Sequence, residues 1–337
     1  MRTTDAGEVT LPAQPIDWPP LILVPALMVA ALLLVGSPST WVTLTIAGLA
    51  MGMMIFIMAS GLTLIFGLMD VLNFGHGAFI SLGAYAGLLV AVPLAASLQA
   101  DSMLINGLAL LATIAVAMLV TGAVGYAFER IIVAPVYGQH LKQILITMGG
   151  LIIAQQLIIV LWGAVQIPLP VPTAFRGALI FGEVAIERYR LIAVVIGLIV
   201  FAGMLAILNK TKLGLLIRAG VENREMVEAL GYRVRRLFVG VFVAGSALAG
   251  LGGVLWAFYR ETLTPSMGLD VQVLIFIVVI IGGLGSVGGC FIGSLLVALI
   301  ANYTSFIAPK LALVSNILLM VLILLWRARG LYAVGKH

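Results

Sequence analysis

Gly61-Leu-Thr-Leu-Ile-Phe-Gly67-Leu-Met-Asp70-Val-Leu-Asn73-Phe-Gly75-His76-Gly77 closes an apolar run that starts at Trp41 and holds no charged residue before Asp70. About 20 mainly apolar residues suffice for a helix to cross the ~30 Å hydrocarbon core of a bilayer. The run therefore reads as a membrane helix. It ends on Asp, Asn, His and glycines, and resumes at Ala78. Polar groups and glycines between two apolar runs predict a broken helix whose freed backbone bonds side chains or lines a cavity.

The rest of the chain repeats this composition. Of its 337 residues 63% are hydrophobic and 9% charged, with a mean hydropathy of +1.22. Soluble domains carry about 25% charged residues, so these side chains cannot cover a water-facing surface. The fold class is all-α, a polytopic membrane protein of eight to ten transmembrane helices. Ten is preferred, with spans near 19–36, 41–66, 75–93, 103–127, 144–162, 191–208, 237–257, 271–283, 289–307 and 311–326. Residues 1–17 read as a cytoplasmic tail without a secretory signal, 18–332 as the transmembrane domain and 333–337 as a C-terminal tail. The single cysteine, Cys290, excludes a disulfide framework.

Charge sets the orientation. With the 209–236 loop and both termini cytoplasmic, 13 of the 18 Lys and Arg residues fall inside, leaving Arg176, Arg188, Arg190, Arg260 and Lys310 outside. That asymmetry is the positive-inside signal, and it explains the basic excess without nucleic acid. Glycine or alanine recurs four apart at Gly48 and Gly52, Gly83 and Gly87, Gly245, Ala249 and Gly253, and Gly289 and Gly293. This spacing lets helix backbones approach closely in lipid.

Three segments bear on function. Asp70, Asn73 and His76 are ionisable or polar groups at the helix break, and such groups at membrane depth are functional candidates. Their expected place is the cytoplasmic interface, where they would tie the break together. No metal site is expected, because His140 and His337 are not spaced to join His76. The second segment is the 209–236 loop. Between Glu222 and Leu230 apolar residues alternate with charge at helical spacing until Gly231, predicting a short amphipathic helix suited to a groove on a partner. The third, Gly282-Gly-Leu-Gly-Ser286-Val-Gly-Gly289, has no Lys followed by Ser or Thr and is no phosphate-binding loop. It shares Gly-Leu-x-x-Val with Gly67–Val71, which hints at an internal repeat. Tyr85, Gln155, Gln156, Gln272, Asn302 and Asn316 are polar residues inside spans, available to line a path or to bond between helices.

Together these stretches resemble the LivH-type permeases of branched-chain amino acid ABC importers. The likeness rests on 61–77, on Lys212-x-Gly-x-x-x-Arg218-Ala219 followed by Glu222–Gly231, on Ile281–Gly289 and on Arg327–Leu331. It implies a transport subunit rather than an enzyme, with no catalytic residue and no cofactor. Its implied partners are a second permease subunit in a heterodimer or homodimer, two cytoplasmic ATPase subunits, a periplasmic substrate-binding protein and membrane lipid. Arg218, Glu222, Arg224, Glu225, Glu228, Ala229 and Gly231 would then form the coupling helix to the ATPase. The expected location is the bacterial cell inner membrane, multi-pass. The expected cargo is branched-chain or related amino acids, with urea, short amides or aromatic acids as the alternative. An ion-coupled secondary transporter is the rival reading, and it requires buried carboxylates or histidines.

Overall fold

The computed structural model describes residues 18–332 except Asn223, and leaves aside the side chains of Arg218, Val221, Glu222, Arg224, Glu225 and Leu313. The tails at 1–17 and 333–337 lie outside the described residues. Each predicted span is a helix: α1 (Trp18–Val35), α2 (Pro38–Met69), α3 (His76–Ala91), α4 (Met103–Phe128), α5 (His140–Trp162) and α6 (Arg188–Lys210). Two short helices follow, α7 (Lys212–Glu222) and α8 (Arg224–Ala229). The chain then runs through α9 (Val234–Arg260), α10 (Met267–Gly282), α11 (Val287–Ile307) and α12 (Ala312–Trp326). Among the described residues seven apolar helices are long enough to cross a membrane, whereas α3, α10 and α12 are shorter. At 1.5 Å per residue α3 and α10 reach only about 24 Å.

Two of those short helices, α3 and α10, stand at corresponding places in an internal repeat of inverted direction. α2 ends at Asp70 and α9 at Glu261, the two non-glycine residues with positive φ (52° and 54°) among those described. Each left-handed acid turns the chain back into the protein as an extended segment, and α3 or α10 starts six residues later. The offset that carries Asp70 to Glu261 also carries His76 to Met267, Gly77 to Gly268 and Ser81 to Gln272. Packing follows the same rule. α9 lies against α3 and α4 as α2 lies against α10 and α11, and α3 meets α5 as α10 meets α12. The repeat is thus α2–α5 with α9–α12. The Gly-Leu-x-x-Val hint named the wrong pairs. Gly67 does meet Gly285 across the interface, but the two are neighbours in space rather than counterparts.

Small residues let this core close. Gly83 faces Gly250, Gly253 faces the Ile80 carbonyl, Gly245 faces Gly61, and a methyl on Gly52 would come within 3.2 Å of the Ser294 carbonyl. Close backbone approach is what holds helices together where lipid removes the hydrophobic drive. The 18-residue core stretch of α2 is 78% buried and that of α6 17%. α2 and α9 therefore form the centre while α1 and α6 lie outside it.

The loops sort to two ends. One gathers the 70–75 segment, Arg130, the 211–236 loop, 283–286 and the C-terminal stretch, whose Leu331 and Tyr332 amides donate to the Ile281 and Gly282 carbonyls. At the other end β1 (Ile167–Pro168) pairs antiparallel with β4 (Thr262–Leu263). Beside it, β2 (Ala178–Phe181) and β3 (Val184–Glu187) form a hairpin with Phe181 opposite Val184.

Candidate functional site

The break after α2 does not lie flat at the surface. Asp70 is exposed at the end of α2, its carboxylate 3.8 Å from His140 Nε2. From there the chain climbs back along α5. The Leu72 amide donates to Gln143 Oε1 (3.4 Å) and the Phe74 amide to Thr147 Oγ1 (3.0 Å). Asn73 is buried, and its Oδ1 accepts the Gly75 amide at 3.0 Å. His76 Nε2 then donates to the Met58 carbonyl at 2.9 Å. Met58 stands eleven residues before the last residue of α2, about 16 Å into the helix. Asp70 is thus exposed at the end of α2 while His76 is buried beside Met58, because residues 71–75 carry the chain inward before α3 begins.

Gln143 and Thr147 were not among the sequence candidates, yet they receive the amides that the broken helix frees. Their signal was present. They stand four apart near the start of α5, so they share one face. That face packs on the start of α3, where Gly75 abuts the Thr147 carbonyl.

The first turn of α3 meets the first turn of α10. Gly77 and Gly268 each face the other's carbonyl, and the Gly268 amide donates to Ser81 Oγ at 2.8 Å. Gln272, the counterpart of Ser81, reaches back so that its Oε1 would lie 2.8 Å from a methyl on Gly77. Two helices running in opposite directions therefore place their N-terminal, partially positive ends together inside the bundle. Around this junction several buried groups have no hydrogen-bond partner among the described residues: Asn73 Nδ2, His76 Nδ1 and both amide atoms of Gln272. An unpaired buried polar atom costs about 1–3 kcal/mol. These unpaired atoms run from Asn73 in the break to Gln272 in the first turns of α10.

The other candidates do not converge there. Tyr85 is fully buried further along α3 with its ring 5.2 Å from Trp162 and its hydroxyl unpartnered. Gln155 is half-buried and Gln156 exposed on α5. Asn302 donates to its own helix at Ala298 and to Met51 Sδ in α2. Asn316 is buried with its carbonyl oxygen unpaired.

In the 209–236 loop the amphipathic segment is divided. Glu222 ends α7, and a separate helix, α8, runs to Ala229. Gly231 (φ 86°) stops α8 as the sequence predicts. Its amide donates to the Glu228 carbonyl and the Tyr232 amide to Val227, the paired bonds of a Schellman cap. Val227 is buried, anchoring α8, while Met226 (57%) and Leu230 (71%) are exposed. Glu228 and Ala229 are exposed too. The side chains of Arg218, Glu222, Arg224 and Glu225 lie outside the described residues.

An inverted repeat of membrane helices, with two half-helices meeting at depth on unpaired polar groups, is the architecture of a membrane transport protein. The particular family follows from comparison. Residues 44–326 match the model of the branched-chain amino acid transport system permease component, and the chain belongs to that family. It is 28% identical over 291 residues to the high-affinity branched-chain amino acid transport system permease protein BraD of Pseudomonas aeruginosa, covering 84% of this chain and 93% of that protein. Against the corresponding LivH of Salmonella typhimurium identity is 26%, and against LivH of Escherichia coli K12 25%, each over 84% of this chain and 92% of the relative. No solved structure matches.

Proposed function

We propose that the chain is one permease subunit of an ATP-driven importer for branched-chain or related amino acids, in the bacterial inner membrane. It pairs with a second permease subunit, two cytoplasmic ATPase subunits and a periplasmic binding protein. The observation that carries this reading is α8. A capped helix, anchored by one buried valine, offers exposed Met226 and Leu230 beside Glu228, as docking into a partner's groove requires. Family membership supplies the kind of partner. The proposed topology has ten crossings and both termini in the cytoplasm. It is supported by the excess of Lys and Arg at the end bearing α7 and α8.

In this mechanism a loaded binding protein docks on the 163–187 and 261–266 loops. Closure of the ATPase pair pushes α8, and the motion reaches α9 through the short Tyr232–Arg233 connection. α9 packs on α3, so the half-helix junction lies one contact further along. Charge reversal Glu228→Arg tests the coupling. The expected result is loss of ATPase co-purification with normal membrane insertion, and unchanged co-purification rejects the assignment. Cargo is tested by uptake in cells expressing the complete importer, with labelled leucine, isoleucine and valine set against urea and aromatic acids. Proton coupling is tested at His76. His76→Gln keeps a donor for the Met58 carbonyl but cannot titrate, so uptake that persists excludes His76 as a proton carrier.

A further inference from the structure

At the basic end a cavity of about 390 Å³ is lined by Arg130, Glu228, Tyr232, Arg233, Arg235 and Arg236. Four arginines and one glutamate are among its lining residues. Four arginines are more than orientation requires at a single spot, and they come from two elements distant in sequence. Arg130 stands two residues past the end of α4, while Arg235 and Arg236 lie in the first turn of α9. The cavity therefore lies beside the C-terminal end of α4 and the N-terminal end of α9, two apolar helices long enough to cross a membrane. The positive end of the 27-residue α9 helix adds to the field.

The surface beside the cavity has a matching apolar half. Leu119 (72% exposed), Ala123 and Tyr126 (48% exposed) run along α4 at helical spacing toward Arg130. The Arg130 guanidinium lies 5.5 Å from the Tyr126 ring centroid, and its Nε is 3.9 Å from the buried Glu129 carboxylate. These contacts hold the side chain at the rim of the cavity. A basic cavity continuous with an exposed apolar strip fits a molecule with a phosphate at one end and an acyl chain at the other. Arginine forks match phosphate oxygens in pairs.

We propose that this cavity binds the phosphate of an anionic phospholipid, with an acyl chain along Leu119, Ala123 and Tyr126. The inference needs only that the chain spans a membrane, and stands apart from the transport reading. Because Glu228 of α8 forms part of the wall, the lipid would also buttress the surface helix.

The test is native mass spectrometry of the full chain in detergent, titrated with phosphatidylglycerol or phosphatidylcholine. Phosphatidylglycerol should bind preferentially. The exposed pair Arg235→Gln/Arg236→Gln should lower its retention on the order of fivefold per arginine. Lys142→Gln removes one charge from the same end outside the cavity and should leave retention within twofold. Arg235→Lys/Arg236→Lys retains charge and fold and should restore part of the binding. Equal retention of both lipids, an equal loss with Lys142→Gln, or no loss in the double variant overturns the proposal. Displacement by millimolar inorganic phosphate would also overturn it, since the site would then hold a free anion. Loss of ATPase association with lipid retention unchanged would assign the arginines to protein docking instead.

Discussion

At the residue scale the decisive positions are Gly77 and Gly268. Each fits only because it lacks a side chain, since a methyl on Gly77 would lie 2.6 Å from the Gly268 carbonyl oxygen. Gly77→Ala should lower stability by about 1–3 kcal/mol through overpacking, read as a fall in Tm of the detergent-solubilised chain. Gly149→Ala, where nothing lies within 4 Å, should be neutral. Thr147→Val removes the acceptor of the Phe74 amide and should cost about 1 kcal/mol by the same assay, because a part-buried donor loses its partner. Asp70 behaves differently. Its left-handed φ favours glycine and its contact with His140 is largely solvent-exposed, so Asp70→Gly should match or exceed the wild-type Tm, whereas Asp70→Val should lower it. None of this was visible from residue types alone. Asp70 and His76 look alike as polar residues at a break, and only the five residues between them, paired to Gln143 and Thr147, separate surface from depth.

Elements were far more legible. Every span read from apolar runs is a helix, because length and hydrophobicity are properties of one segment and need no knowledge of its neighbours. The stop at Gly231 was equally local. What escaped was α7. Lys212–Glu222 mixes apolar and polar residues; Leu213 and Leu215 are exposed although the helix packs against α2 and α6. The α8 cap yields a prediction at this scale. Gly231→Ala forces an alanine to φ 86°, costing about 1 kcal/mol. That is enough to fray a six-residue helix. Fold and membrane insertion should persist while ATPase stimulation in the assembled importer falls severalfold, and full stimulation would show that α8 need not be rigid.

At the scale of the whole molecule the repeat was hidden for a physical reason. Its two halves share a pattern of helix packing more than they share side chains. Asp70 and Glu261, or Ser81 and Gln272, are equivalent by position and different in identity, while the visible Gly-Leu-x-x-Val match came from two turns that merely touch. The proposed topology is open to direct measurement. Cys290 is buried, so cysteines introduced singly report alone. Glu183→Cys in the hairpin turn should react with an impermeant maleimide added outside intact spheroplasts, and Ala328→Cys only after permeabilisation. The opposite pattern would invert the molecule.

The opposed N-termini of α3 and α10 also bear on electrical tightness. A permease must not let the membrane potential discharge through it while its cargo moves. Two partially positive helix ends set face to face in low dielectric repel hydronium and sodium at the same depth. If the junction borders the transport route, cations meet an energy barrier there that a neutral zwitterion does not. Current recorded across bilayers holding the assembled importer should stay at background while the cargo moves.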